Sequence, residues 1–334
     1  MEVIRSWIHR PFQITDASCV GEARRYCARA VQDWDWSEVD AGRLSLVVTE
    51  LGTNLLRHAV QGELWIAIKN AALEVEIIAL DKGPGIADVQ RAIQDGVSTG
   101  SGSPGTGLGA IRRLANDFSI HSSGAGTLCL ARVRPAAQGP LAPPRLGAVS
   151  LAAPGETVCG DAWAVAFDGD KVSLVVADGL GHGPHAAVAA NAALDVFASN
   201  PFASLQALLN DAHAGLQATR GAALLVLQMD DTSGLQYAGA GNVMGRVISG
   251  VSDKSLMTQH GTVGVQVRRP DVASIEVPAH AVTVVHSDGI ASRWKADSLV
   301  PLLQRDPALI AAALLWQHTR GRDDATVVVV KQGE

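Results

Sequence analysis

Apolar residues recur along this chain with two different periods. Between residues 37 and 60, Leu44, Val47, Val48, Leu51, Leu55 and Ala59 return at the three- and four-residue spacing of a helix with one buried face. Residues 22 to 34 read as a helix before it, and residues 2 to 13, with β-branched and aromatic positions, as an opening strand. A strand is predicted at 73 to 80, and a helix at 110 to 116. Further on, strands are predicted at 162 to 167, 171 to 177, 224 to 229, 235 to 238, 281 to 287 and 325 to 330. Helices are predicted at 184 to 199 and 203 to 219, with a turn at Gly239-Ala240-Gly241-Asn242. Between the halves lies RPAAQGPLAPPRLG, whose four prolines and two glycines can continue neither element and read as a semi-stiff linker. The expected domains are 1–134 and 148–334, joined by a linker over 135–147, without internal repeat.

Several predicted strands stop at an aspartate. The stretch VVADGLGHG, residues 175 to 183, ends an apolar run at Asp178 and follows it with three glycines and His182. If Gly169 and Asp170 form a two-residue turn, Asp168 pairs with Lys171, and stepping outward sets Asp161 opposite Asp178. Two carboxylates directly across a hairpin repel each other unless a cation sits between them. Asp288 follows the run AVTVVHS, and Asp323-Asp324 precedes the final strand, so four strand ends present the oxygen ligands that hard divalent ions take. Each aspartate alone would more often be a turn former or a cap. His182 is placed to orient its turn or to touch substrate.

With 47% hydrophobic and 18% charged residues and a net charge of −6, the composition is that of a globular protein of two domains. Neither half carries a basic excess, which argues against nucleic acid as a partner. Cys19, Cys27, Cys129 and Cys159 form no C-x-x-C pair and are expected as buried small apolar residues. No apolar run approaches the ~20 residues that span a bilayer, and the N-terminus lacks a signal-peptide core. The expected location is cytoplasmic.

In the first half, Glu50 and Asn54 lie one turn apart on a helix, with His58 extending the row. Asp81-Lys82-Gly83-Pro84-Gly85 closes the strand at 73 to 80, where a carboxylate can accept a hydrogen bond from an adenine amino group. Gly105-Thr106-Gly107-Leu108-Gly109 opens a helix, where backbone N–H groups and the helix dipole favour phosphate oxygens. In order and spacing these three boxes resemble the GHKL ATPase and kinase superfamily. The continuation GTGLGAIRRLANDFSIHS is similar to the RsbT-type anti-sigma and switch serine kinases of bacterial stress signalling. The resemblance implies a GHKL (Bergerat) α/β sandwich in which Asn54 ligates Mg²⁺ and Glu50 orients or deprotonates the attacking hydroxyl. It also implies that Asp81 holds adenine, Gly83 and Gly85 make room for the nucleotide, and Gly105, Thr106, Gly107, Leu108 and Gly109 close over the ATP phosphates. Gly100, Gly102 and Gly105 fit G-x-G-x-x-G but lack a strand feeding into them, which argues against a Rossmann site. There is no Walker A sequence, no eukaryotic-type kinase loop, and no phospho-accepting histidine on a helical hairpin.

In the second half, the order GD, ADGLGHG, SDG, DDAT resembles the PPM-type, metal-dependent serine/threonine phosphatases of the SpoIIE and RsbX-like branch. That resemblance implies an α-β-β-α sandwich holding two Mn²⁺ or Mg²⁺ ions. Asp161 would bridge them, Asp178 and the Gly179 carbonyl would complete one side, and Asp288 and Asp323 the other, with Asp324 the alternative to Asp323. Such a pair activates water for attack on phosphorus. Jointly the two resemblances imply an α/β two-domain regulator that phosphorylates and dephosphorylates STAS-type proteins, with a sigma factor or a downstream phosphatase as further partners. The alternatives are an ATP-binding domain that only sequesters a sigma factor or partner, and one that senses nucleotide to regulate the phosphatase in cis. Sequence leaves the oligomeric state open.

Overall fold

Residues 2–94, 107–139, 144–230, 234–268 and 271–331 are described by the structure, a computed structural model. They fall into two compact units, His9–Pro143 and Met1–Ile8 together with Pro144–Glu334. The chain opens with β1 (Glu2–Arg5) and β2 (His9–Gln13), which join different sheets. The opening strand expected over residues 2 to 13 is thus two strands, because Trp7 and Phe12 bury in different cores. Residues 2 to 8, expected in the first domain, belong to the second unit.

In the first unit, α1 (Ala17–Ala30) starts five residues before its expected position because the Asp16 carboxylate accepts from Ser18 N at 2.7 Å and caps it. Ser37 caps α2 (Glu38–His58) in the same way, accepting from Asp40 N at 3.1 Å. There follow β3 (Glu63–Lys69), β4 (Glu74–Asp81), the single turn α3 (Val89–Ala92), α4 (Gly107–Leu114), β5 (Asp117–Ser123) and β6 (Gly126–Val133). An antiparallel sheet in the order β2-β3-β4-β6-β5 packs one face on the helices. Leu44, Val47, Val48, Leu51 and Leu55 of α2 meet Ile66, Ile77 and Ala131 of the sheet in that core. On its other face, buried Glu76 accepts from Lys69 Nζ at 2.8 Å and Arg132 Nε at 2.6 Å.

After the first unit, the second resumes with β7 (Leu146–Leu151), slightly before the expected boundary. It continues through β8 (Asp161–Asp168), β9 (Lys171–Gly179), α5 (Pro184–Ser199), α6 (Leu205–Gly215), β10 (Ala222–Asp230) and β11 (Gly234–Ala240). Then come β12 (Met244–Ile248), β13 (Asp253–Leu256), the short pair β14 (Gly261–Thr262) and β15 (Gln266–Val267), β16 (Ala273–Ile275), β17 (Val282–His286), α7 (Pro307–His318) and β18 (Ala325–Lys331). Two sheets form, ordered β1-β8-β9-β10-β11-β16 and β13-β12-β17-β18-β7. Trp163, Val176, Leu225, Val285 and Val328 fill the space between them. On the outside of the larger sheet, Leu194 and Phe197 of α5 and Leu208 of α6 form a second core. With α7 against β7 and β18, the order of layers is the expected α-β-β-α.

Three of the four cysteines are buried and all four are free. Among the described residues no helix is long and apolar enough to cross a membrane.

Candidate active sites

In the first unit the three boxes surround one cavity of about 410 Å³, lined by Asn54 and His58 of α2, Asp81 at the end of β4, Gly85, and Gly107 and Leu108 of α4. Helical periodicity turns Leu51 and Leu55 into the core and leaves Glu50 and Asn54 on the adjoining, partly exposed face. A Cβ placed on Gly107 would lie 3.2 Å from Asn54 Oδ1 and 3.4 Å from Glu50 Oε2, so the start of α4 rests against both. Asp81 Oδ1 accepts from Gly83 N at 2.6 Å, and the carboxylate also accepts from Thr127. Burial raises its pKa above the usual carboxylate value, against the effect of these hydrogen bonds. Gly85 has φ +76°, and a Cβ there would fall 2.0 Å from Ser123 O, so the turn after β4 tolerates no side chain. Gly105 and Thr106 lie outside the described residues, whereas Gly109 is buried within α4.

In the second unit β8 and β9 pair in the register that the two-residue turn predicts, Asp168 with Lys171 and Asp161 with Asp178. Asp288 follows β17 by two residues, and Asp323 precedes β18 by two. Asp161 is buried, and Ser287 Oγ donates to its Oδ2 at 2.6 Å. Burial, then the charge of Asp178, raises the Asp161 pKa well above the usual carboxylate range. Asp178 is raised to about 7 by burial and by the charges of Asp288, Asp323 and Asp324, although the Asp288 N–H donates to it. Gly179 N donates to Gly160 O at 3.1 Å, and a Cβ on Gly179 would lie 2.1 Å from Ala186 O, so only glycine admits α5 this close.

The adjacent aspartates differ. Asp324 is buried and its Oδ1 accepts from Ala153 N at 2.8 Å, which commits that oxygen to the fold. Asp323 is partly exposed, and its charge acts on Asp178. Asn242, just past β11, donates to Asp288 Oδ2 at 2.5 Å. Neither Ser287 nor Asn242 stands out in the sequence. Ser287 adjoins Asp288, but Asn242 reaches the site through strand pairing that local pattern does not reveal. His182 is exposed, and its ring shares a hydrogen bond with the Glu156 carboxylate at 2.9 Å.

These residues fit a hard divalent cation. The donors are carboxylate oxygens, two are paired across a hairpin at a cost that a cation removes, and Asp178 Oδ2 is buried with no hydrogen-bond partner among the described residues. Among the described residues, no three His, Cys, Asp or Glu side chains are already arranged to enclose one ion.

Comparison with known proteins divides the chain in the same way. Residues 15–132 match the family described as the histidine kinase-like ATPase domain, and residues 168–332 match the stage II sporulation protein E family. The serine/threonine-protein kinase RsbT of Bacillus subtilis (strain 168) is 33% identical over 125 residues, which are 34% of this chain and 93% of RsbT. A solved structure from the bacterial stressosome, a modular system adapted to control secondary messenger signaling, is 27% identical with a TM-score of 0.53, covering 55% of this chain and 97% of its own. The structure of RsbX in complex with magnesium is 19% identical with a TM-score of 0.50, over 56% of this chain and 94% of RsbX, a likeness of fold. The chain therefore belongs, through its RsbT-like unit, to the histidine kinase-like ATPases, and it joins to that unit a SpoIIE-type domain with the fold of the PPM serine/threonine phosphatases.

Proposed function

We propose that this protein is a partner-switching regulator that both adds phosphate to and removes it from a serine or threonine of a STAS-type protein. The observation that supports the reading is that residues of both expected sets come together, each in its own unit of one chain. Asn54, Asp81 and Gly107 line one cavity with Glu50 close to Gly107, and Asp161 faces Asp178 in the other unit with Asp288 and Asp323 acting on Asp178.

In the first reaction Asp81 would hold the adenine, the Gly105-to-Gly109 box would receive the phosphates, and Asn54 would hold a Mg²⁺ ion, which when bound neutralises phosphate charge. Glu50 accepts the proton of the attacking hydroxyl while its oxygen bonds to the γ-phosphorus and the bond to ADP breaks. Catalysis here is mostly positioning and charge neutralisation. In the second unit Asp161, Asp178, the Gly179 carbonyl, Asp288 and Asp323 would hold two Mn²⁺ or Mg²⁺ ions. When bound, these ions supply an activated water and neutralise the charge of the phosphate. Ser287 fixes the orientation of Asp161, and Asn242 that of Asp288. Hydrolysis gives inorganic phosphate and returns a proton to the serine or threonine oxygen. The likeness to RsbT and to a stressosome structure supports a STAS-type substrate, and dependence on ATP supports action in the cytoplasm.

Incubation of the full chain with γ-labelled ATP, Mg²⁺ and candidate STAS proteins tests the kinase half. Label on serine or threonine with the wild type, lost in Glu50→Ala with ATP binding retained, is expected. Equal labelling by Glu50→Ala would remove Glu50 from the reaction.

A further inference from the structure

The carboxylate end of the larger sheet also receives one guanidinium. Ala222 and Ala223 of β10 pair with Gly179 and Asp178 of β9, so the turn just before β10 lies at the end where Asp178 sits. That turn is held firmly. Thr219 Oγ1 donates to Leu216 O at 2.7 Å and accepts from Gly221 N at 3.0 Å, while Gly221 O accepts from Leu180 N at 3.0 Å. Ala222 and Val263 exchange two backbone hydrogen bonds directly behind it.

Arg220 therefore has a fixed backbone between two anchored neighbours, one of them bonded to the loop that follows Asp178. Its Nη1 lies 3.3 Å from where a Cβ on Gly181 would be, so the guanidinium rests over the middle of that loop. Gly181 has φ +91° and carries no side chain to push it away. Among the described contacts no hydrogen bond or ion pair engages the Arg220 side chain, although five aspartates gather at the neighbouring strand ends. A guanidinium offers five donors in a planar fork matched to phosphate oxygens.

We propose that Arg220 receives the phosphoryl group of the substrate, holding two of its oxygens above the Leu180–Gly183 loop. The proposal rests on the phosphatase reading of the second unit and adds to it the residue that binds the substrate's charge. Arg220 makes no covalent step. It sets affinity for the phosphoryl group and for the phosphate product, and its loss weakens both.

The test uses the full chain with Mn²⁺ in three forms, wild type, Arg220→Ala and Arg220→Lys, with Arg322→Ala as a control for a second exposed arginine beside Asp323. KM and kcat for a phosphoserine peptide and the inhibition constant of inorganic phosphate are measured, alongside Mn²⁺ binding by calorimetry and the melting temperature. Removing a charge-assisted contact predicts an increase of about tenfold or more in KM and in the phosphate inhibition constant for Arg220→Ala. Partial recovery in Arg220→Lys, unchanged Mn²⁺ binding, and less than about twofold change in Arg322→Ala are expected alongside. A phosphate constant unchanged in Arg220→Ala overturns the proposal. Should the wild type hydrolyse no phosphopeptide, the phosphatase reading fails by itself. Direct titration of inorganic phosphate into wild type and Arg220→Ala then decides the role of Arg220, equal binding overturning it.

Discussion

At the scale of single residues, the first unit's cavity depends on backbone that admits no Cβ. Gly85→Ala combines a positive φ with a clash on Ser123 O. It should cost ~3 kcal/mol or more and abolish nucleotide binding, read by thermal melting and by fluorescent-nucleotide titration. Asp81→Asn should leave the melt almost unchanged yet weaken ATP binding about tenfold, through loss of the carboxylate that meets the adenine. In the second unit, His286 is buried between fixed partners. One ring nitrogen donates to Ser287 O at 2.8 Å, and the other accepts from Trp294 Nε1 at 3.1 Å, which sets a neutral tautomer. Burial lowers its pKa from 6.5 to about 4. The unfolded chain then binds the extra proton first, so His286 stabilises the fold fully above pH 6.5. That contribution, up to about 3 kcal/mol, is lost as pH falls from 6.5 through 4. Chemical denaturation of wild type and His286→Gln across pH 4 to 8 should show the difference shrinking on the acid side. A constant difference would contradict the assignment.

At the scale of elements, the β8–β9 hairpin sets the buried Asp161 carboxylate against the half-buried Asp178. In metal-free protein, Asp178→Asn should remove this repulsion and raise the melting temperature, while also removing the increase that Mn²⁺ gives the wild type. Melting in EDTA and in Mn²⁺ checks both parts. This pairing was legible in the sequence, because the Gly169-Asp170 turn fixes the register and a one-residue slip would reverse every side chain. The helix α2 was legible for a similar reason, a single strong period carrying Glu50 and Asn54 beside its apolar stripe. Contacts between distant strands were not. Asn242 meets Asp288, and Ser287 meets Asp161 across 126 positions, through sheet order that no local pattern records. The early start of α1 shows a smaller loss, since the apolar periodicity is weak where the Asp16 cap decides the boundary.

At the scale of the whole chain, the first unit is inserted in the second. Residues 1 to 8 precede it, and β1 pairs along all four of its residues with β8, the strand that begins at Asp161. Trp7 packs edge-on against Trp163 with ring centroids 4.6 Å apart and donates to Ala148 O at 3.3 Å. Strand composition revealed an opening strand but not its partner, since the pairing spans the whole first unit. Deleting residues 1 to 8 should therefore destabilise the phosphatase-like unit and leave nucleotide binding by the other intact. Trp7→Ala alone should cost ~2 kcal/mol, less than a fully buried tryptophan. Separate melts with ATP analogue and with Mn²⁺ distinguish the two units. Whether one chain both adds and removes phosphate is decided by a time course of label on a STAS protein. With wild type and Mg²⁺·ATP, label should rise, then fall once unlabelled ADP and Mn²⁺ stop transfer and support hydrolysis. Glu50→Ala should give no rise, and Asp178→Asn a rise without the fall. Label that falls equally fast with Asp178→Asn, or that never appears with the wild type, would rule out opposed phosphate transfer and removal by this chain.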